Sequence, residues 1–290
     1  SPIAMKKLKS RIYFESSFTG ATVGALLFSK DTILVDAPLK PEDGRAWLND
    51  LHKAGAKPRR LVINLDSHPD RALGTQTLQA QVLAHRDVVR QIRRRAAIFK
   101  ALKQESGAEW EETPGLSGLR WVLPQLSFSE NITLFFDEIE LRLEYHPGPS
   151  PGACWLRSPS DKVVFVGDAV VVGEPPFLAQ ADIPAWLKQL DLLASKEFRG
   201  YTVLAGRGGK TTVTDLNAMR RFLKDVEARL KPLARKKSAP AEIDKLAARL
   251  AGKFKGSGKR QLLYTQRLRY GMQAYFTRRY LPATKSSNND

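Results

Sequence analysis

The chain is poor in the residue types that build covalent links and metal frameworks. Cys154 is the only cysteine among 290 residues, which excludes an internal disulfide and a cysteine-rich zinc site. Histidine occurs four times. The longest apolar runs, ATVGALLF and VVFVGDAVVVG, are interrupted by Gly24 and Asp168 and fall short of the roughly 20 residues that cross a membrane. We therefore expect a soluble, cytoplasmic protein without a membrane partner.

Acidic residues are in the minority. The chain has 47 Lys and Arg against 30 Asp and Glu, a formal net charge of +17. Residues 231–290 hold fifteen of the basic residues and three of the acidic ones, so this segment alone carries +12. A basic segment attracts phosphate groups, which makes nucleic acid a candidate partner for it. The 42% hydrophobic content suffices for the core of one large domain or two small ones.

The order of predicted elements indicates two rounds of strands and helices. Strands are predicted for RIYFESSF, ATVGALLFS and DTILVDA, then a helix, the strands RRLVINL and QAQVLAH, and a basic helix RDVVRQIRRRAAIFKALK. The second round has strands in NITLFF, IELRLEY, ACWLRS, KVVFVGDAVVV and GYTVLAG, and helices in IPAWLKQLDLLAS and TVTDLNAMRRFLKDVEARL. Such an order predicts an α/β fold in which two sheets, each covered by helices, form a four-layer αββα sandwich.

The composition changes near residue 231. The segment KPLARKKSAP contains two prolines and several basic residues, which is typical of a linker. Helices are predicted for AEIDKLAARLAGKFK and QLLYTQRLRYGMQAYFTRRYL beyond it. We therefore predict a domain over residues 6–230 and a basic helical C-terminal extension over residues 231–290 that packs on it.

Polar and glycine-rich sequence follows four of the predicted strands. The longest such loop comes after LVINL and carries Asp66, His68, Asp70 and Arg71. The others are HPGPSPG (146–152) after IELRLEY, Asp168 after KVVFVG, and GRGG (206–209) after YTVLA. Because α/β scaffolds place functional residues in the loops that follow their strands, we expect these loops to form one site.

These stretches, taken together and in this order, resemble the signature loops of the metallo-β-lactamase superfamily over residues 11–230. DTILVDA is similar to the strand with an early aspartate, here Asp36, and NLDSHPDRALG occupies the place of the His-x-His-x-Asp-His motif. HPGPSPG resembles the Pro-Gly-His-Thr-Pro-Gly loop, FVGDAV the loop with the metal-bridging carboxylate, and AGRGG the late Pro-Gly-His-Gly. The resemblance implies an αββα fold and a hydrolase ancestry.

The chain departs from that family's two-metal pattern at four of seven ligand positions. His68, Asp70 and Asp168 are of the expected type. Asp66 replaces the first histidine of the motif, and Pro149 replaces the histidine of the Pro-Gly-His loop. Arg71 and Arg207 replace two further histidines.

The resemblance sorts these positions into two metal sites. One would use Asp70, Asp168 and the positions of Arg71 and Arg207. Because arginine stays protonated and has no lone pair to offer, that site is lost as a metal site. We expect Arg71 and Arg207 to replace the ion by pairing with Asp70 and Asp168.

The other site keeps Asp66, His68 and Asp168, which suffice for one divalent metal, zinc, iron or manganese, with an open water position. Asp70 is then the candidate catalytic residue of a one-metal hydrolase. The alternative is that His68 is a turn residue bonded to backbone, that Asp66 and Asp70 cap the following helix, and that Asp168 closes a tight turn.

The basic C-terminal helices also allow two interpretations. Tyr264, Tyr270, Tyr275, Phe276 and Tyr280 alternate with Arg267, Arg269, Arg278 and Arg279, a combination that can stack on bases and attract phosphates. Alternatively, a helical stripe packs on the core and leaves the arginines solvated outside; its members would be Tyr264, Leu268, Met272, Tyr275 and Phe276.

The leading hypothesis is a metallo-β-lactamase-like protein with a degraded dinuclear site, either a pseudoenzyme that binds a small anionic ligand in the cleft or a one-metal hydrolase. The competing hypothesis is a nucleic-acid-binding module that uses the basic helices. β-Lactam hydrolysis is disfavoured, because the changed ligands remove the two-metal chemistry.

Overall fold

The computed structural model describes residues 5–281. Its first sheet has seven strands in the order β1 to β7. These are Lys6–Lys7, Ile12–Glu15, Val23–Leu27, Thr32–Val35, Arg60–Asn64, Gln81–His85 and Leu126–Phe128. Strands β1 to β4 pair antiparallel, as the closely spaced strand signals at the start of the sequence predict, and β4 to β7 pair parallel.

The second sheet has five strands in the order β12, β11, β10, β9, β8. In chain order, β8 to β12 are Asn131–Phe136, Ile139–Tyr145, Cys154–Ser158, Val163–Phe165 and Thr202–Leu204. Strands β8 to β11 pair antiparallel, and the last pair, β11 with β12, is parallel.

The two sheets face each other across an apolar layer. Ile12, Phe14 and Ile63 of the first sheet and Leu156 and Phe165 of the second belong to one buried cluster. Because successive strand residues point to opposite faces, the other face of each sheet needs its own cover.

Helices cover these outer faces. Helix α1 (Pro41–Lys53) places Trp47 and Leu51 in the cluster on the outer face of the first sheet. Helices α4 (Ile183–Leu193) and α5 (Val213–Leu230) pack in one cluster with Trp155 of the second sheet. The layers run helix, sheet, sheet, helix, which confirms the predicted αββα sandwich.

The predicted basic helix is shorter than its sequence pattern. This helix, α3, spans Arg86–Arg93 only. The helix before it in the chain, α2, is a single turn, Pro69–Ala72. The helical pattern predicted to continue to Lys103 is wrong beyond Arg93. Phe99 instead packs edge-on against Trp110 and Trp121, and Ile98 forms a β-bridge with Arg120. These tertiary contacts outweigh local helix propensity.

The C-terminal segment shares the core of the second sheet. A 3₁₀ turn at Lys231–Arg235 leads to α6 (Ala239–Ala251) and α7 (Gly258–Tyr280). Leu233 and Ala239, in the stretch that has a linker composition, are buried in the same cluster as Trp155, so this stretch is not an exposed tether. No helix within residues 5–281 combines the length and apolarity needed to cross a bilayer.

The aromatic stripe of α7 faces inward. Tyr264, Leu268, Met272, Tyr275 and Phe276 are all buried in that cluster, which confirms the packing interpretation for these side chains. The expectation that the arginines of the stripe lie outside is wrong for one of them. Arg267 is fully buried.

Candidate functional site

The site forms where strand ends of both sheets meet. Asp36 follows β4 in a left-handed conformation (φ 56°), and the loop after β5 carries Asp66 to Arg71. Asp168 lies in a 3₁₀ turn, Gly167–Ala169, after β11, and Arg207 follows β12. Three of the four loops that sequence analysis singled out therefore come together here, from two different sheets. The fourth, residues 146–152, contributes Pro149 and Ser150 to the cleft described below.

Gly206 allows the last two loops to approach. Its N–H donates to Gly167 O at 2.7 Å, and its carbonyl accepts from Thr22 N at 2.8 Å. A Cβ at this position would lie 2.4 Å from Asp168 Oδ1, so only glycine fits. This contact sets Arg207, the next residue, against Asp168.

Arg71 lies at the centre of a group of carboxylates. Its guanidinium is fully buried and donates from Nη1 to Asp36 Oδ2 at 2.7 Å and from Nη2 to Asp168 Oδ1. Its Nε lies 2.9 Å from Asp66 Oδ1 as an ion-pair contact. One arginine thus bridges three acidic residues from three different loops.

Arg207 is the second buried guanidinium. Its Nη1 donates to Asp70 Oδ2 at 3.0 Å and to Gly20 O at 3.3 Å, and its Nε lies 3.4 Å from Asp168 Oδ1. Asp168 therefore contacts both guanidiniums through the same oxygen. Four carboxylates share two buried arginines, so negative charge is in excess within this group.

Asp70 is an anchor for a distant segment of the chain. It is fully buried and accepts hydrogen bonds from the backbone N–H groups of Glu109 (3.0 Å) and Trp110 (2.9 Å) as well as from Arg207. It does not line the cleft described below. The residue expected to be catalytic is thus held away from any ligand in that cleft.

Asp66 and His68 shape a local turn. Asp66 Oδ1 accepts from His68 N at 2.8 Å, and His68 Nδ1 accepts from Asp70 N at 3.1 Å as the cap of α2. The imidazole also packs on Phe177, with ring centroids 4.4 Å apart. These are the backbone contacts of a turn histidine, one part of the alternative that the sequence left open. The other part, that Asp66 and Asp70 cap the helix, is wrong, because the capping side chain is that of His68.

The surroundings shift the pKa values of the acidic residues in opposite directions. Burial raises the pKa of Asp36 from 3.8 to about 7, against the opposing effect of Arg71. Burial would also raise the pKa of Asp168, but Arg71 and Arg207 outweigh it and lower that pKa to about 2. For Asp70, too, His68 and Arg207 overcome burial and lower the pKa. Asp36 is therefore the carboxyl that most readily takes up a proton and reduces the excess negative charge.

The histidine is held neutral. Burial lowers the pKa of His68 from 6.5 to about 4, although Asp70 opposes this shift. Its ring is one-fifth exposed, which leaves it at the boundary between the buried charges and the cleft.

The residues present do not fit a metal ion. Among residues 5–281 no group of three or more His, Cys, Asp or Glu side chains is arranged to hold one. Asp168 Oδ1 and Asp66 Oδ1 face guanidinium nitrogens, and His68 Nδ1 accepts a backbone N–H. A cation at this place would meet the fixed positive charges of Arg71 and Arg207.

A second group of charges, which the sequence analysis missed, extends the site to α7. Arg267 donates from Nη1 to Glu174 Oε1 (2.8 Å) and Pro175 O (2.9 Å), and from Nε to Gly107 O (2.9 Å). Phe177 lies between two guanidinium groups, that of Arg267 at 4.2 Å and that of Arg207 at 4.7 Å from the ring centroid. Only the helical register of α7 distinguishes Arg267 from the exposed arginines beside it.

A cleft of about 490 Å³ opens beside these residues. Asp66, His68 and Asp168 lie at its polar end, and Phe99, Trp110, Trp121 and Phe177 are among its aromatic walls. Arg267 and Tyr270 bring α7 to its rim. This volume lies within the range of about 300–1,000 Å³ typical of small-molecule sites.

Comparisons with known proteins agree on the scaffold. The sequence profile of the metallo-beta-lactamase superfamily matches residues 22–206, more than half of the chain. None of the curated proteins matches the sequence.

Solved structures with the same fold include several metallo-beta-lactamases. DIM-1 aligns with a TM-score of 0.58 at 14% identity, covering 78% of this chain and 98% of that one. TMB-1 aligns with a TM-score of 0.60 at 13% identity, covering 78% and 99%. The enzyme from Pontibacter korlensis aligns with a TM-score of 0.61 at 14% identity, covering 77% and 99%. At these identities the similarity concerns the fold alone.

Proposed function

The chain belongs to the metallo-β-lactamase superfamily, and we propose that it is a member in which two arginines stand in for the metal ions. In this proposal the protein binds a small anionic ligand in the cleft and does not hydrolyse it. Members of the superfamily typically bind divalent metals such as zinc. Under this proposal the protein keeps the ligand-binding cleft of the superfamily and has lost the metal-dependent reaction.

The observation that carries this proposal is the contact of Arg71 with Asp36, Asp66 and Asp168. Carboxylates this close repel one another unless positive charge lies between them. A metal ion supplies that charge in a metalloenzyme, and a planar guanidinium supplies it here through several hydrogen bonds at once.

A guanidinium does not reproduce the catalytic properties of a metal. It has no coordination position for a water molecule. It therefore cannot lower the pKa of a bound water to generate a hydroxide nucleophile, as a metal ion does. Asp70 and Asp168 are held as ion-pair partners with pKa values below the ordinary range, which makes them poor proton acceptors at neutral pH. The arrangement therefore favours a structural role for these ion pairs, at the polar end of the cleft, and not a catalytic one.

Metal analysis tests this proposal. Protein produced with zinc, iron and manganese supplied, and then desalted, should contain far less than one equivalent of any of them per chain. Excess zinc should leave the thermal unfolding temperature unchanged, because a metal that binds only the folded state raises it. About one equivalent, lost in both Asp168→Ala and His68→Asn, would instead establish a one-metal site and contradict this proposal.

A double substitution provides a matched comparison. Arg71→His with Arg207→His restores two imidazoles at the positions that carry histidine in the resembling motif. We expect this variant to be stabilised by zinc and the parent protein not to be. Equal zinc responses of the two proteins would contradict the role proposed for the arginines.

A second candidate function is nucleic-acid binding by the C-terminal helices. Twelve Lys and Arg side chains are exposed between residues 231 and 281. Arg267 cannot contribute, because it is buried against Glu174. Some of the exposed ones are also neutralised, as in the pairs Lys236 with Glu242 and Lys253 with Asp225.

Fluorescence anisotropy with a labelled single-stranded oligonucleotide tests this function. Binding through phosphates should weaken by roughly tenfold or more between about 50 and 200 mM salt. Replacing the exposed Lys245 and Arg249 by glutamate should weaken it further, and replacing Arg45 and Arg86 outside this segment should not. Absence of binding at low salt would remove this candidate.

A further inference from the structure

The cleft has a cationic group that belongs to neither of the buried charge groups. Arg95 follows the end of α3 and lines the cleft together with Ser67, Trp121 and Ser150. Its Nη1 donates to Ser67 O at 2.8 Å, and its Nη2 donates to Ser67 Oγ at 3.4 Å. In the described part of the chain this guanidinium forms no ion pair with a carboxylate.

The Arg95 guanidinium has N–H donors left for a ligand. A guanidinium has five N–H donors, and Ser67 occupies two of them. The face of the group lies 4.3 Å from the centroid of Trp121. Stacking and the two bonds to Ser67 fix the guanidinium, so little side-chain freedom is lost when it binds an anion.

The charge of Arg95 lies in an environment that disfavours it. Burial lowers the pKa of this side chain from 12.5 to about 10, and Asp66 opposes this only in part. An anion bound to Arg95 would offset the cost of burying its charge, because an opposite charge in contact stabilises the ionised guanidinium.

An unpartnered hydroxyl lies on the facing loop. Ser150 Oγ is buried, has no hydrogen-bond partner within residues 5–281, and belongs to a residue of the cleft wall. Its loop is tied to that of Arg95, since Gln91 Nε2 donates to Pro151 O at 2.9 Å and Ser67 Oγ donates to Gln91 Oε1 at 2.7 Å. Arg95 and Ser150 therefore belong to one connected wall.

The adjoining surface of the cleft is apolar. Trp121, which stacks under Arg95, contacts Phe99 edge-on, and Phe99 contacts Trp110 in the same way. Ile98 and Leu102 line the cleft although 44% and 69% of their respective surfaces are exposed. Exposed aliphatic side chains beside an aromatic wall are typical of a site for an apolar ligand.

From this arrangement we propose that the cleft binds an amphiphilic monocarboxylate, with its carboxylate on Arg95 and its apolar body against Phe99, Trp110 and Trp121. The identification rests on the proposed function, since it assumes a cleft that holds ligands without a metal. A single charge is favoured over a phosphate dianion, because Asp66 and Asp168 also line the cleft and repel additional negative charge. A carboxylate matches the planar donor pair of a guanidinium.

Calorimetric titration of the full chain with octanoate tests the proposal, with 1-octanol and octylammonium as probes of equal length. Octanoate should bind roughly tenfold more tightly than octanol, the ratio expected for one charge-assisted contact, and octylammonium more weakly still. Equal affinities for octanoate and octanol, or no binding of octanoate at millimolar concentration, would overturn the proposal. This comparison needs no variant protein.

Two substitutions that each remove one positive charge test whether Arg95 binds the carboxylate. Arg95→Gln should lower the octanoate affinity about tenfold and leave octanol binding unchanged. Arg94→Gln, an exposed neighbour on the same segment, should change neither. An unchanged octanoate affinity in Arg95→Gln would overturn the assignment of this residue.

The two proposals fail in different experiments. A protein that contains one equivalent of metal and still prefers octanoate to octanol would contradict the proposed function alone. A metal-free protein that binds octanol as tightly as octanoate would contradict this inference alone.

Discussion

Arg71 Nη1 donates to Asp36 Oδ2 at 2.7 Å, with both side chains shielded from solvent. The two residues are 35 positions apart and follow adjacent parallel strands, β4 and β5. This pair joins the ends of these two strands to the other carboxylates of the site, because the same guanidinium reaches Asp66 and Asp168. A charge network of this kind is a structural element as well as a candidate functional one.

Replacing Arg71 should strongly destabilise the protein. In Arg71→Met three carboxylates lose their shared cation, and we expect the free energy of unfolding to fall by about 3–5 kcal/mol at neutral pH. Arg90→Met, which breaks the exposed pair with Asp87, should cost less than about 1 kcal/mol. Urea denaturation compares the two variants, and similar losses would contradict a structural role for the buried arginine.

Arg267 allows the same comparison within one helix. Arg267→Met leaves Glu174 and the carbonyls of Gly107 and Pro175 without their donor, so we expect a loss of about 3 kcal/mol or more. Two residues on, Arg269 pairs with Glu105 at the surface, and Arg269→Met should change stability by less than about 1 kcal/mol. Thermal and urea unfolding of both variants measure the difference.

His68 should make stability fall with acidity. Its folded-state pKa of about 4 lies below the ordinary 6.5, so the unfolded chain takes up the proton first as the pH drops. The stabilising contribution is complete above pH 6.5 and is lost towards pH 4, by up to about 3 kcal/mol.

The variant His68→Asn isolates this effect, because asparagine keeps a side-chain acceptor for the N–H of Asp70 but does not titrate. Its free energy of unfolding should fall less steeply than that of the parent between pH 7 and pH 4. Parallel pH profiles would show that the imidazole is already exposed to protons in the folded state.

Gly206 should tolerate no side chain. In Gly206→Ala the new Cβ would lie 2.4 Å from both Asp168 Oδ1 and Gly167 C, and we expect a loss of about 1–3 kcal/mol from forced displacement. Gly252→Ala is the matched control, since that residue is the C-cap that follows α6, has φ −62°, and would place its Cβ no closer than 3.4 Å to another atom. The control should be neutral or stabilising. A neutral Gly206→Ala would contradict the close approach of the two loops.

Much of the fold follows from local sequence patterns. The alternation of strand and helix signals predicts the two rounds of elements. Local sequence also explains where α5 begins, because Thr212 and Asp215 form both hydrogen bonds of a capping box there. The helix predicted through Lys103 failed because Phe99 and Ile98 find partners more than fifteen residues away. The periodicity of a short stretch of sequence carries no information about contacts with residues so far away in the chain.

The sequence by itself determined which residue types occupy the site. From the family resemblance it predicts arginines at two positions where a second metal would need ligands. Because guanidinium has no lone pair at any ordinary pH, this prediction needs no coordinates. Which carboxylates the arginines contact was decided by tertiary structure, as strand ends from two sheets must meet before Arg71 can bridge Asp36, Asp66 and Asp168.

The same division holds for the cleft. The sequence marks Arg95 and Arg267 alike as members of basic helical segments. Only folding makes them different. The end of α3 leaves Arg95 over Trp121 with no acidic partner among residues 5–281, whereas the packed face of α7 buries Arg267 against Glu174. Charge is a local property of the sequence, but its pairing depends on which distant segments the fold brings into contact.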